Sequence, residues 1–218
     1  MATELEESFR DWLVSDTFAC LGARASLRRG ELTVRSYGPM GSPDHTRELH
    51  EDLVEFLNFD ADPESGGFHS FAALFTDADT WTEQDFEKRL WQQVQDLHGI
   101  DRLGFAWADE VSMDPAAADF GFSVGEHPVF VVGIHPGASR VSRRFSTPGL
   151  VFNSHRQFTA LKKTGVYQGL QKAIRRRDVA IQGVVNPMLG DFGERSEACQ
   201  YSGREVPADW DCPFHPFP

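Results

Sequence analysis

The stretch VFVVGIHPGASRVSRRFSTPGLVFNSHRQF, residues 129–158, contains two apolar runs, and each run ends at a histidine. "VFVVGI" and "GLVFNS" are short, rich in β-branched and aromatic residues and bounded by Pro, Gly and Ser, which is the composition of strands. His135 is followed by Pro136 and Gly137, so the chain turns sharply and leaves the imidazole at the rim of a sheet, where functional groups concentrate. His155 follows the second strand, in the first turn of a helix "RQFTALKKTG" that Asn153 or Ser154 can cap. Between the two strands lies a loop carrying Arg140, Arg143 and Arg144.

On either side the pattern alternates less regularly. "ELEESFRDWLVSDTF" places Leu5, Phe9, Trp12 and Leu13 at helical spacing, "ELTVRSYG" alternates as a strand, "GPMGSPDH" breaks into a loop, and "TRELHEDLVEFLNF" returns to helical spacing. "GFHSFAALF" reads as a strand. The next segment, "TDADTWTEQDFEKRLWQQVQDLHG", reads as a helix opened by a Thr80–Glu83 capping box and closed at Gly99. "RLGFAW", "DFGFSVG" and "HPVFVVGIH" are three sheet segments, the last two linked by "GEHP", which suits a tight antiparallel turn. "VYQGLQKAIRRRDVAI" is a further helix. From Val185 the chain is dense in Gly, Pro and charge without a period, the composition of a disordered tail or of a loop covering something. Strands and helices do not alternate, and neither GxGxxG after a strand nor GxxxxGK[ST] occurs, so a doubly wound nucleotide fold is disfavoured. The expectation is α+β: one domain over 1–218 with its core in about 18–214, helices packed on a mixed or mainly antiparallel sheet, and a long loop-rich C-terminal segment.

The chain has 218 residues, 40% hydrophobic and 25% charged, and a net charge of -12. That charge argues against a general nucleic-acid binder and is compatible with a cationic ligand. Arg175, Arg176 and Arg177 read as a solvated helix face. No apolar run is long enough to span a bilayer and the N-terminus is acidic, so a cytoplasmic protein without a membrane partner is expected. Cys20, Cys199 and Cys212 form no CxxC pair and should be reduced, with Cys212 either a thiolate ligand or, more simply, a small buried side chain. The 18 Phe and 5 Trp fill a core or line a pocket.

Three kinds of chemistry fit poorly. Zinc lacks HExxH, CxxC or a clustered ligand set. The facial pair in His50–Glu51–Asp52 lies within a helix, where residues two apart point about 200° apart. A serine hydrolase lacks GxSxG, and Ser139 reads as a turn residue. Haem asks for less: one ligand, an apolar slot and cations for its propionates. His135 or His155, the phenylalanines of the strands such as Phe152, and Arg140, Arg143 and Arg144 meet that demand. Each histidine also has a plain reading as a hydrogen-bonded structural residue. Asp191, Glu194 and Glu197 either pair with Arg195 and Arg204 or recognise a cationic substrate.

The runs "FACLGARASL", "RLGFAWAD", "HPVFVVGIHPGASR", "LVFNSHRQF", "AIQGVVNPMLGDFGERSEACQYSGREV" and "DWDCPF" resemble the YqcI/YcgG-type family, over about Phe18 to Phe214. That family includes haem-dependent N-hydroxylases of guanidine compounds. The resemblance implies haem b held by a histidine, dioxygen or peroxide activated on the iron, and oxygen inserted at a guanidine N–H of a small cationic substrate such as arginine. Of the two histidines, His155 is favoured as the proximal ligand because its helix position gives a rigid mounting, with His135 facing the same pocket as proton donor; the reverse assignment leaves the pocket in place. Arg140 and Arg144 would contact the propionates, and Asn186, Glu194, Glu197 and Tyr201 would form a lid that excludes water and orients substrate. One departure stands out, Cys199 in "SEACQYSG" where the family run would read "SEARQYSG". No reductase-like segment is present, so electrons would come from a separate donor. A haem sensor or carrier without turnover is the rival reading, and a cofactor-free interaction domain a third. Aromatics in "DCPFHPFP" offer a surface for a homodimer.

Overall fold

The computed structural model describes residues 3–59, 67–77 and 81–217. Its centre is a five-stranded sheet in the order β1-β2-β5-β4-β3, built from β1 (Leu32–Tyr37), β2 (Ser70–Phe75), β3 (Phe122–Val124), β4 (His127–Ile134) and β5 (Gly149–Ser154). β1 and β2 run parallel, joined through α3 (Pro43–Phe59), because a parallel pair needs a crossover rather than a hairpin. The β2–β5, β5–β4 and β4–β3 pairs are antiparallel. β3 and β4 meet in a two-residue turn, Gly125 and Glu126, with φ of 58° and 64°. Positive φ at both central residues matches the twist of the flanking strands.

Every residue of β2 is buried, so helices cover both faces of the sheet. On one face α3 and α4 (Glu83–Asp101) pack Leu49, Leu53, Phe86, Leu90 and Trp91 onto Phe71, Phe75, Val131 and Phe152. On the other, α1 (Glu4–Val14) and α2 (Leu21–Arg29) pack Phe9 and Leu13 against Val34, Ala72, Leu74 and Ile134. α5 (His155–Lys163) and α6 (Val166–Gln182) complete that second layer, α5 against β4 and β5, and α6 against α5 and α2. The α1 helix opens with a capping box between Thr3 and Glu6. Ser154 caps α5 by accepting from the Arg156 N–H.

Several sequence expectations are corrected here. "RLGFAW" forms no strand: the chain leaves α4 through a turn at residues 102–104 and runs irregularly, with Trp107 packed on Phe120, Phe122 and Phe214. Thr80 lies outside the described residues, and the cap of α4 is Thr82, which accepts from the Asp85 N–H. Gly99 lies within α4, which continues to Asp101. α3 begins inside the expected loop, with Pro43 in its first turn, where its missing N–H costs nothing. α2 was not expected. The C-terminal segment is an ordered wrap: α7 (Ala198–Tyr201) lies along β4, and Cys212 and Phe214 are buried in the α4-side core. The fold is α+β, as the sequence indicates.

Candidate functional site

The second face of the sheet is incompletely filled. Along β4 and β5, Phe130, Val132, Val151 and Asn153 are only half-buried, while their alternate neighbours Val129, Val131, Leu150 and Phe152 are fully buried on the α3/α4 side. Phe130 stands opposite Asn153 and Val132 opposite Val151, so these four side chains form one patch. This patch is the floor of a cavity of about 890 Å³. Trp12, Phe18, Cys20 and Ala23 wall one side, and Leu161, Tyr167, Leu170 and Ile174 of α5 and α6 roof it. The volume lies in the upper part of the range of small-molecule and cofactor sites, about 300–1,000 Å³.

His155 lines this cavity. Its Nε2 lies 3.1 Å from each oxygen of the Glu197 carboxylate, and Phe192 meets the ring edge-on at 5.0 Å. Glu197 is 3% exposed, and its Oε1 also accepts from the Tyr201 hydroxyl at 2.5 Å. Burial and the adjacent Glu197 hold the Tyr201 phenol far above its ordinary range, so it stays a donor. A carboxylate that accepts from both groups fixes the His155 proton on Nε2 and leaves the lone pair on Nδ1, which makes no hydrogen bond among the described residues. Tyr201 in turn accepts from the Phe122 N–H at 3.2 Å, so the chain of hydrogen bonds is anchored in β3. Gly121 makes the close approach possible: a Cβ there would sit 2.8 Å from Val111 Cγ1 and 3.4 Å from His155 Nε2.

His135 does not share the cavity. It is 1% exposed and stacks at 4.2 Å on Phe86 of α4, on the opposite face of the sheet. The reason is strand alternation. Ser154 pairs with Val129, so odd positions continuing β5 face the same way as even positions of β4. His155 therefore joins Phe130 and Val132, whereas His135 follows Val129 and Val131. Its Nδ1 is buried without a partner, and burial pushes its pKa down to about 4. Phe152 alternates to the same far side and packs on Phe71, outside the cavity lining.

The remaining expected residues divide in the same way. Arg140 lines the cavity in an ion pair with Asp178 of α6 and donates to the Val184 carbonyl at 2.9 Å. Asn186 lines it too, bonded through its backbone N–H to Asp178 at 3.1 Å. Arg144 is exposed and donates to the Ala138 carbonyl, while Glu194 is exposed and accepts from the Asp191 N–H, so neither reaches the cavity. Tyr201 acts behind Glu197, buried against Trp91. Arg143 is held by the carbonyls of Gly133, Gln200 and Tyr201, and burial draws its pKa down to about 10. Arg195 contacts Met188 Sδ and Arg204 pairs with Glu87 of α4, so neither takes up the closing-segment carboxylates. In the HED run, His50 binds Asp101 at 2.7 Å and Asp52 accepts from Tyr37 at 2.8 Å, two separate structural contacts. Cys212 is buried, its thiol pushed up to about 12 by burial.

Two cavity residues that carry a buried, unpartnered polar atom were not anticipated. Arg175 lines the cavity with its Nε buried and unpartnered, so the Arg175–Arg177 run is not a uniformly solvated face; Arg177 donates to the Phe18 carbonyl and only Arg176 is exposed. The spacing of Gln171, Arg175 and Asp178 on one helix stripe is the signal that points to it. Gln157 is the other: its Nε2 donates to the His69 carbonyl and its Oε1 is buried without a partner. Among the described residues, no three His, Cys, Asp or Glu side chains are grouped to hold a bare metal ion, and no helix is long and apolar enough to cross a membrane.

The model of the YqcI/YcgG family matches residues 9–215. The chain belongs to the YqcI/YcgG family. No curated protein and no solved structure gives a match. In this family member the runs "HPVFVVGIHPGASR", "LVFNSHRQF" and "SEACQYSG" form β4, the β5–α5 junction and α7, the elements that carry the cavity floor, His155, and the Glu197–Tyr201 pair. Cys199 lies outside the cavity lining, packed with Met188 and Val206, and its thiol donates to the Ser196 carbonyl.

Proposed function

We propose that the cavity holds haem b and that the chain is a haem-dependent monooxygenase that hydroxylates nitrogen on a small guanidine-bearing substrate. The observation that carries the reading is His155 at the wall of a large apolar cavity with its Nε2 proton committed to Glu197. Metal-binding imidazoles are commonly oriented in this way by a carboxylate on the far nitrogen, which also raises their basicity. The residues fit the group: an imidazole nitrogen with a free lone pair, aromatic and aliphatic walls, and Arg175, whose guanidinium lacks a full set of partners, available to a propionate. Bound there, haem would supply the activation of dioxygen or peroxide.

The protein's own groups have separable tasks. Glu197 orients His155 and keeps its proton off Nδ1, and Tyr201 keeps Glu197 in place. Trp12, Phe18, Phe130 and Tyr167 exclude water from the reacting space. Arg140 and Asp178 clamp α6 to the loop after β4 and so hold the roof over the floor.

One observation favours the sensor or carrier reading. The cavity carboxylates Glu110, Asp178 and Glu197 are each engaged by a side chain of the protein: Arg156, Arg140, and the His155–Tyr201 pair. A guanidinium substrate must displace one of these or bind through neutral groups such as Gln157 Oε1 and Asn153. Hemin titration and turnover separate the readings. Both expect a Soret band that His155→Ala removes; only the monooxygenase expects arginine or a related guanidine to shift that band and be consumed with reductant and dioxygen. Absence of the band in the unaltered protein overturns both.

A further inference from the structure

We infer that the outer face of α6 is the docking surface for a small acidic one-electron carrier protein. The inference rests on the haem reading above, because that reading assigns the cavity a redox group that has to be reduced. α6 is a wall one helix thick with two different faces. Leu170, Ile174 and Asp178 are spaced four apart and turn inward to line the cavity. Val166, Gly169, Lys172, Arg176 and Val179, three or four apart, turn outward and are exposed. With side chains included, a helix is about 10–12 Å across, so a carrier seated on the outer stripe stands about that far from a group in the cavity.

The charge on this wall is opposite to that of the protein. The whole chain carries -12, yet the outer stripe of α6 presents Lys172 and Arg176 and no carboxylate; of the other cations of α5 and α6, Arg156, Lys162, Lys163 and Arg175 line the cavity and Arg177 is held by the Phe18 carbonyl. Among the described residues, Lys163, Lys172 and Arg176 are exposed and form no ion pair or hydrogen bond. Val166 and Val179, 48% and 42% exposed, place apolar patches at either end of the cationic stripe. Two exposed cations on an otherwise acidic molecule give this face a local dipole. Such a dipole orients an acidic partner toward this face, whereas the net charge repels long polyanions and anionic membranes. With haem bound, one electron would pass from the carrier's iron–sulfur cluster or flavin to the haem iron, taking it from ferric to ferrous and leaving the carrier oxidised by one electron, with no atom transferred.

The test is stopped-flow reduction of the hemin-loaded protein by a reduced acidic [2Fe–2S] ferredoxin, comparing the unaltered chain with Lys172→Glu/Arg176→Glu. The expected result at low ionic strength is a rate at least about tenfold lower in the variant, with the steep salt dependence of the unaltered protein lost. Dithionite should reduce both proteins equally. Equal ferredoxin rates and equal salt dependence overturn the proposal, as does salt-sensitive binding of RNA or anionic vesicles to this face in place of the ferredoxin. If the chain takes up no haem, the haem reading fails by itself. Ferredoxin binding to the unloaded protein, followed calorimetrically, then decides the surface: binding lost in the variant supports it and no binding overturns it.

Discussion

Glu197 Oε1 lies 2.5 Å from the Tyr201 hydroxyl, one helical turn further along, and the same carboxylate faces His155 Nε2 at 3.1 Å. The pair joins the cavity wall to the buried core. Tyr201 is fully buried and also satisfies the Phe122 N–H, so removing one oxygen leaves two polar groups short of a partner. Tyr201→Phe should therefore lower stability by about 1.5–3 kcal/mol, read from urea unfolding, because a bond to a charged group is lost in a dry environment. An unchanged unfolding midpoint would show that the hydroxyl contributes nothing.

His135 and His155 should part company in their pH behaviour. His135 is neutral in the folded protein with a pKa lowered to about 4 by burial, against 6.5 when exposed. The unfolded chain therefore binds a proton that the folded chain refuses as pH falls. The stability His135 permits is present in full above pH 6.5 and is lost as pH drops through 4, by about 3 kcal/mol in all. His135→Leu should flatten that part of the stability–pH curve and, because the residue lies across the sheet from the cavity, leave hemin affinity unchanged. Loss of hemin binding in this variant would contradict the placement of the two rings.

The C-terminal wrap is tied to α4 by Glu87, which is 7% exposed and accepts from Arg204 Nη2 at 2.5 Å and from Ser202 Oγ at 3.1 Å. Arg204→Ala strands a buried carboxylate and should cost about 3–5 kcal/mol. Glu87→Met combined with Arg204→Met removes both charges and should be more stable than the single variant. A double variant no better than Arg204→Ala would mean that packing, not the unpaired charge, sets the loss.

Gly133 in β4 is required by contact rather than by backbone angle. A Cβ there would meet Phe86 Cε1 at 2.7 Å and Leu90 Cδ1 at 2.8 Å, both on α4. Gly133→Ala should cost about 1–3 kcal/mol through overpacking. For a chain of this size that lowers the melting temperature by roughly 2–12 °C. A melting temperature at or above that of the unaltered protein would show that α4 moves aside freely.

Local patterns carried much of the fold. The apolar runs at 129–134 and 149–154, the Gly125–Glu126 turn, and the helical spacing of α1, α3, α5 and α6 are nearest-neighbour features, set by residues a few positions apart. "RLGFAW" was misread because its aromatic residues are apolar for a different reason: Trp107 completes a cluster with Phe214 from the far end of the chain. His155 was legible as a candidate, whereas Glu197 was named as a lid and substrate-recognition acid and not as the partner of His155, since a carboxylate 42 positions away has no local signature.

Sequence alone determined most element types, the α+β class and the family, because backbone propensity and side-chain period are written residue by residue. Which face each histidine occupies was decided by the pairing of Val129 with Ser154, a register between strands that no single segment contains. That register sends His155 into a half-filled layer beneath α6 and His135 into a close-packed one beneath Phe86. The cavity exists because α1, α2, α5 and α6 leave unfilled a space that α3 and α4 fill on the opposite face.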